Sequence, residues 1–342
     1  MQREPISIFG DTIAGLSAAQ ILSRLGHPVA ILTGGHSVSR QVALNGASLF
    51  LIERIWGRDL LDGAVAHALE RRILLWEGRE PIVLAERALV VDVVDLAARM
   101  KSLLTQNKHL SWDDAHACEE PDIVAATYEN RDRYLTGGTR VAVQAQVLLR
   151  DGAAADALHV EAIASGWLAL LPIDDGKAML MGVALDTKSE IDFLLDESKH
   201  TRRAVTEICP SFAPSNAAPR LFVSATSARA AMRIGGTAMR FDPISGDGVA
   251  GALRGAHLAA LLLDQRAREG KRFDTAAIYG QRLARAMRAH LGGLSRLYGA
   301  APMANSWSSE LEAMRTMDFC VAELWPAEEP KVAIKENVLT AL

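Results

Sequence analysis

The chain opens on an apolar run, Ile6–Phe9, closed by Gly10 and followed by a helical apolar period over Leu16–Leu25. Gly26 stops that helix, and His27–Leu32 restores a short apolar run. Strand, tight turn, helix and strand in close succession predict a βαβ unit. Gly34-Gly35-His36-Ser37 then reads as a loop and Val38–Trp56 as a helix, with Ala43, Leu44, Ala47, Leu51 and Ile55 spaced for one face. Short strands are predicted at Ile73–Trp76, Pro81–Leu84 and Ala88–Val91, a helix at Asp95–Leu104, and a short apolar strand at Ile123–Ala126. Alternation then takes over. Thr139–Leu149, Ala157–Ala164, Trp167–Pro172 and Ala178–Ala184 read as strands of one sheet, with Asp174-Asp175-Gly176 as the hairpin turn between the last two. Glu190–Cys209 reads as helix, Pro210–Pro219 as a connector rich in proline and serine, and Arg220–Ala225 as a strand. Beyond Gly246 the period is mostly helical, with breaks at Gly270, Gly292-Gly293 and Pro302. Leu311, Met314, Met317 and Val321 form a core stripe there, and Pro326–Leu342 reads as a loosely docked end.

The turn of the βαβ unit carries chemistry. Gly10, Thr12 and Gly15 stand where a dinucleotide-binding turn places its three glycines, with Ala14 lining the same turn. In such a turn backbone N–H groups face a pyrophosphate at the helix N-terminus, where the macrodipole favours negative charge. The first glycine makes the sharp turn and the third lets helix and strand pack closely. Thr12 replaces the middle glycine, so its side chain either crowds the pyrophosphate or offers it a hydroxyl. Thr33 ends the second strand, where an acidic residue normally binds a ribose. Strands early, an antiparallel sheet in the middle and a return to βα near residue 240 predict an α/β protein. A dinucleotide domain over 1–70, 86–135 and 220–265 is interrupted by a substrate domain with a mixed or antiparallel sheet over 71–85 and 136–219. Residues 266–342 form C-terminal helices.

Composition narrows the classes. The chain has 342 residues, 49% hydrophobic and 23% charged, enough to bury a large core. A net charge of −4 presents no basic face for nucleic acid. No apolar run approaches the ~20 residues that span a bilayer. Met1–Glu4 lead straight into the first strand, which predicts no signal peptide. Cys118, Cys209 and Cys320 are far apart and odd in number, which predicts a cytoplasmic protein and no zinc or iron–sulfur site.

A second motif lies in Ile234–Asp264. Gly235, Pro243, Gly246 and Gly248 precede a long helix rich in Ala and Leu, which makes a second helix start open to close approach. This combination resembles the FAD-dependent monooxygenases of the para-hydroxybenzoate-hydroxylase-like superfamily, which includes the flavin-dependent tryptophan halogenases. The family motif reads Gly-Asp-Ala-Ala-His, three residues, Pro, two residues, Gly-x-Gly. Gly235, Pro243, Gly246 and Gly248 match its glycines and proline at the same intervals. Asp242-Pro243-Ile244-Ser245-Gly246 and Gly166–Pro172 look like the halogenase-like branch, which includes flavoproteins that hydroxylate peptidyl tryptophan in quinone-cofactor maturation.

The resemblance implies a Rossmann-like FAD domain of the glutathione-reductase type and a monooxygenase working through a flavin C4a-hydroperoxide. Its substrate would be small and aromatic, or an aromatic side chain on a peptide, and NAD(P)H or a reductase would supply electrons. It implies flavin contacts from Pro243, Gly246, Asp247, Gly248 and Val249. For Arg40 it implies a pyrophosphate contact, an ordinary helix arginine being the alternative. Asp247 reads either as a helix cap or as a cap with a charge beside the ring. Branch halogenases need a catalytic lysine near the flavin tunnel, and the first lysine here is Lys101, which disfavours halogenation. Four positions depart from the family: Thr12 and Thr33, Gly236 for the ribityl-binding Asp, and Val93 for an Arg, while an Asp-Gly pair is absent near Ala126-Thr127. Each lost contact costs about 1–3 kcal/mol. At about tenfold per 1.4 kcal/mol, the set would bring FAD to micromolar affinity or weaker. The alternative reading is a degenerate flavoprotein-like subunit that binds a partner protein or small ligand without redox chemistry.

Overall fold

The apolar run that opens the chain forms β1 (Ile6–Phe9), and Thr12 caps the helix that follows, α1 (Ile13–Arg24), before β2 (Val29–Thr33). The computed structural model describes residues 4–34, 39–76, 80–114, 121–126, 134–185, 190–223, 231–269, 274–326, 332–335 and 338–341. Next come β3 (Gln41–Leu44), α2 (Gly46–Trp56), β4 (Val65–Leu75), β5 (Ile82–Asp92), α3 (Val93–Leu104), β6 (Leu110–Asp114), β7 (Ile123–Val124) and β8 (Tyr134–Thr136). The middle of the chain forms β9 (Val141–Leu149), β10 (Ala157–Ala162), β11 (Gly166–Pro172), β12 (Lys177–Ala184), α4 (Ile191–Glu197), α5 (Thr201–Ala204) and β13 (Val205–Asn216). The remainder is β14 (Arg220–Phe222), β15 (Met232–Arg233), β16 (Met239–Arg240), α6 (Gly248–Glu269), α7 (Thr275–Gly299), α8 (Ser308–Leu324) and a hairpin of β17 (Val332–Lys335) and β18 (Val338–Ala341).

Among the described residues, five parallel strands make one sheet in the order β15-β7-β1-β2-β6. Its apolar strands are covered by α1 and α6, whose Ala14, Ala18, Ala256, Ala259 and Ala260 are buried in one core with Ile8, Val29 and Ile31. Small residues on both helices let the backbones approach closely. Two buried polar contacts tie this core: Trp56 Nε1 donates to Ser17 Oγ at 3.0 Å, and His27 Nε2 lies 2.9 Å from Asp264 Oδ1.

The second sheet has eight strands in the order β13-β9-β12-β11-β10-β4-β5-β3, antiparallel except for the β10–β4 pair. One face packs against α7 and α8 through Trp167, Met287, Leu291, Met314 and Val321, the other against α4 through Leu168, Leu180 and Leu194. The α8 stripe is therefore core, as its spacing predicts. A small antiparallel sheet, β16-β14-β8, joins the two layers. The α/β class, the mixed sheet and the helical C-terminus all match the sequence expectation. Among the described residues no helix is long and apolar enough to cross a membrane.

Several elements differ from expectation, each for a tertiary reason. Val38–Trp56 is not one helix: Gln41–Leu44 pairs antiparallel with β5, and the Asn45 side chain accepts the Ser48 N–H at 2.9 Å to start α2. Sheet pairing at that edge overrides a helical spacing of apolar residues. The short strands predicted over 73–91 are parts of the long β4 and β5. Glu190–Cys209 forms two short helices and the start of β13. The buried Glu161 carboxylate accepts the N–H groups of Lys199, His200 and Thr201, which stops the helix there. Pro210–Pro219 is no connector up to Asn216, because β13 is an edge strand whose register slips between Ile208 and Ser211 and again between Phe212 and Ser215. Pro210 and Pro214 sit in those two slips, where a missing N–H costs no ladder bond. The loop at 35–38, Cys118 and Thr127 lie outside the described residues.

Candidate functional site

The first turn is closed tightly. Gly10 has φ +104°, and a Cβ there would lie 2.5 Å from the Ala126 Cβ. A Cβ on Gly15 would lie 2.0 Å from the Gly10 carbonyl oxygen, so both positions admit only glycine. Thr12, in place of the middle glycine, is folded inward. Its hydroxyl donates to the Ala125 carbonyl at 3.2 Å and accepts the Gly15 N–H at 3.3 Å. The Thr12 side chain thus acts as the N-cap of α1 and does not block the mouth of the turn. Asp11, inside the turn, is neutralised by Lys101 Nζ at 2.8 Å, which also stands 4.9 Å from the Trp112 ring centroid. Sequence reasoning missed this pair, whose members are far apart in the chain. Among the described residues, Thr33 Oγ1 reaches only the Asp113 carbonyl, at 3.5 Å.

The second motif comes up against the first. Gly235 has φ +61°, and a Cβ there would meet the Ala14 Cβ at 2.9 Å, so this strand end docks on the first turn of α1. Gly236 is exposed, with nothing within 4 Å of the Cβ it lacks. Pro243–Ser245 forms a 3-10 turn capped by Asp242, whose Oδ1 accepts the Ile244 N–H at 3.0 Å. Gly246 ends that turn at φ +61°, its carbonyl 3.5 Å from Asn45 Nδ2, and Arg72 of β4 lies against it. Gly248 begins α6, exposed and with open space around it. Asp247, just before α6, is paired with Arg254 two turns along the same face of the helix.

Behind this loop lies a network that the sequence does not reveal. Arg140, fully buried, brings Nε within 2.8 Å and Nη2 within 2.7 Å of Asp242 Oδ2, while Nη1 donates to Glu310 Oε2 at 2.6 Å. Burial disfavours the Arg140 charge, but Asp242 and Glu310 outweigh it and hold the pKa above the ordinary value. Tyr298 OH donates to Asp242 Oδ2 at 2.9 Å and accepts from Trp167 Nε1 at 3.0 Å. Burial raises the Tyr298 phenol well above its usual range and keeps it a neutral donor. Trp167 is accordingly a core residue, fully buried beside Tyr298. Four polar side chains, Arg140 just before β9, Trp167 of β11, Tyr298 of α7 and Glu310 of α8, converge on Asp242 or its partners, so the aspartate preceding Pro243 anchors the loop.

His290 completes the anchor. Its Nε2 accepts the Asp242 N–H at 2.9 Å, which requires the neutral ring. Burial pushes its pKa from 6.5 down to about 4, with Arg140 adding to the shift and Asp242 opposing it. In the unfolded chain the ring binds its proton near pH 6.5, while the folded protein resists until about pH 4. Stability present above pH 6.5 is therefore lost as pH falls toward 4, by at most about 3 kcal/mol. Urea unfolding of the wild type and His290→Gln at several pH values checks this. The slope between those limits should flatten in the variant, and an unchanged slope would remove His290 from the account.

No protein-family profile matches the sequence, and no curated protein matches it. Solved structures do. Peptidyl tryptophan dihydroxylase QhpG, essential for tryptophylquinone cofactor biogenesis, superposes with a TM-score of 0.69 at 16% identity, over 99% of this chain and 86% of that one. The myxobacterial chondrochloren halogenase CndH, a FAD-dependent halogenase, gives a TM-score of 0.75 at 15% identity, over 95% of this chain and 91% of that one. Pseudomonas aeruginosa PqsL, in complex with 2-aminobenzoylacetate, gives 0.63 at 14%, over 93% and 99%. This chain has the fold of FAD-dependent monooxygenases and halogenases. The superposition extends over nearly the whole chain and so includes both glycine motifs.

Proposed function

We propose that this chain is a FAD-dependent oxidoreductase that hydroxylates an aromatic or peptide-borne aromatic substrate. The observation that carries the reading is the meeting of two glycine-bearing helix starts. Gly235 lies between Ala14 of α1, which follows the tight Gly10–Gly15 turn, and Ala252 of α6, which follows the open Gly246–Gly248 start. Gly10, Ala14, Gly15 and the N-terminus of α1 would hold the pyrophosphate, with Thr12 as frame and Arg40 as counter-charge. Gly236 would lie along the ribityl chain, Thr33 near the adenosine ribose, and Pro243–Val249 against the flavin ring. When bound, FAD supplies the reaction with O2 and the transfer of oxygen. The chain's own part is to hold the ring through backbone N–H groups at Gly248 and Val249 and to keep the site dry. In this reading the parallel sheet holds cofactor, the eight-stranded sheet encloses substrate, and NAD(P)H or a separate reductase supplies electrons.

A second reading, a binding subunit without redox chemistry, is favoured by one observation: the Gly15 N–H is already satisfied by Thr12. An absorbance spectrum of the purified protein from 300 to 550 nm, followed by titration with FAD, separates them. Bound-flavin peaks or saturation at low micromolar FAD are expected. Absence of binding at ~100 µM, corresponding to less than about 6 kcal/mol of affinity, would leave the binding subunit as the reading.

A further inference from the structure

One feature beside this site is unexplained by the fold. Arg220 and Arg240 are direct partners across the antiparallel β14–β16 ladder, so two guanidinium side chains project from the same face. Like charges placed so repel. Among the described residues neither is paired with a carboxylate, and neither is Arg40. Arg220 Nη2 donates to the Gly236 carbonyl at 3.2 Å and its guanidinium stacks 4.5 Å from the Tyr134 ring centroid, while its buried Nε has no partner. Arg240 Nη1 donates to the Asn216 carbonyl at 3.3 Å. Carbonyls and a ring face orient the two heads without neutralising them. Arg240 is held down to a pKa of about 10 by burial, then by the like charges of Arg220 and Arg40. Arg220 and Arg240 are both half-buried, so the pair still reaches solvent.

We propose that Arg220 and Arg240 form a receptor for an oxyanion, a phosphate or carboxylate group, seated beside Gly236. Planar forks with several free N–H donors fit such a group in bidentate fashion, and the anion removes the repulsion that the empty ladder carries. The anion comes either from the diphosphate of the cofactor or from a substrate carried into the same groove. The first source rests on the flavoprotein reading and the second does not.

The test is Arg240→Gln, compared with wild type by thermal unfolding and by calorimetric titration with inorganic pyrophosphate, benzoate, FAD and riboflavin. For wild type, pyrophosphate or benzoate should bind and raise the unfolding temperature. For the variant, affinity for that anion should fall at least about tenfold, or about 1.4 kcal/mol. Its anion-free unfolding temperature should stay level or rise, because a like charge has gone. A merely structural arginine would do the reverse, losing stability with no change in affinity, and that result overturns the proposal. So does wild type that binds neither pyrophosphate nor benzoate. If FAD affinity falls with that of pyrophosphate while riboflavin, which lacks phosphate, is unaffected, the cofactor's diphosphate is the anion. If only benzoate binding falls, the anion is substrate-borne. Pyrophosphate binding by a wild type that binds no FAD upholds the receptor and rejects the flavoenzyme.

Discussion

Arg140→Met should lose about 3–5 kcal/mol of stability, the cost of breaking a buried ion pair by removing one partner. The side chain is fully buried and holds Asp242 and Glu310, which are themselves 1% and 2% exposed. Methionine fills much of the space but leaves two carboxylates in the core facing no cation. They must then take up protons or draw in water, and either outcome favours the unfolded chain. Urea unfolding at pH 7 measures the effect as a lower midpoint with an unchanged slope. The combined variant Arg140→Met, Asp242→Asn, Glu310→Gln should recover most of the loss, since no uncompensated charge remains. A loss below about 1 kcal/mol in the single variant would mean that the network is hydrated in solution and does not anchor the Pro243–Gly248 turn.

Gly248→Val should abolish FAD binding while the protein stays folded. A Cβ at Gly248 would meet no neighbouring atom within 4 Å outside the helix's own backbone, and the backbone there needs no positive φ. The isopropyl group would therefore fit the fold and stand in the space that the flavin carbonyls must reach to bond the N–H groups at the start of α6. A loss of at least about 100-fold is expected, or about 2.7 kcal/mol. Flavin fluorescence titration reads the affinity, and circular dichroism with a thermal scan reads the fold. An unaltered titration would sink the assignment of this helix start to the flavin. The contrast with Gly15 is instructive, because a Cβ there falls 2.0 Å from a backbone oxygen and any substitution damages the turn itself.

The opening βαβ unit was legible because its signals are local. A strand period, a glycine turn and a helical period within Ile6–Thr33 define β1, α1 and β2 with little help from elsewhere. The spacing from Gly235 to Gly248 was legible for the same reason, since each glycine answers a backbone demand of its own turn. The core stripe of α8 followed from its period of three to four, whereas nearly every position of β11 is buried and shows no period of two. The strand β3 and the proline-bearing β13 were not legible, because pairing at a sheet edge decided them against their own composition. Nor was the anchor of the second motif. Arg140 stands 102 residues from Asp242 and 170 from Glu310, and an arginine leading into an apolar strand announces no partner. The same holds for Lys101 with Asp11 and for Arg220 opposite Arg240. By itself the sequence determined the two glycine-bearing helix starts and the class of fold that carries them, because backbone geometry is written in short spacings. Only the tertiary structure decided which charges meet around those starts, because ion pairs and like-charge clusters depend on distance in space and carry no period along the chain.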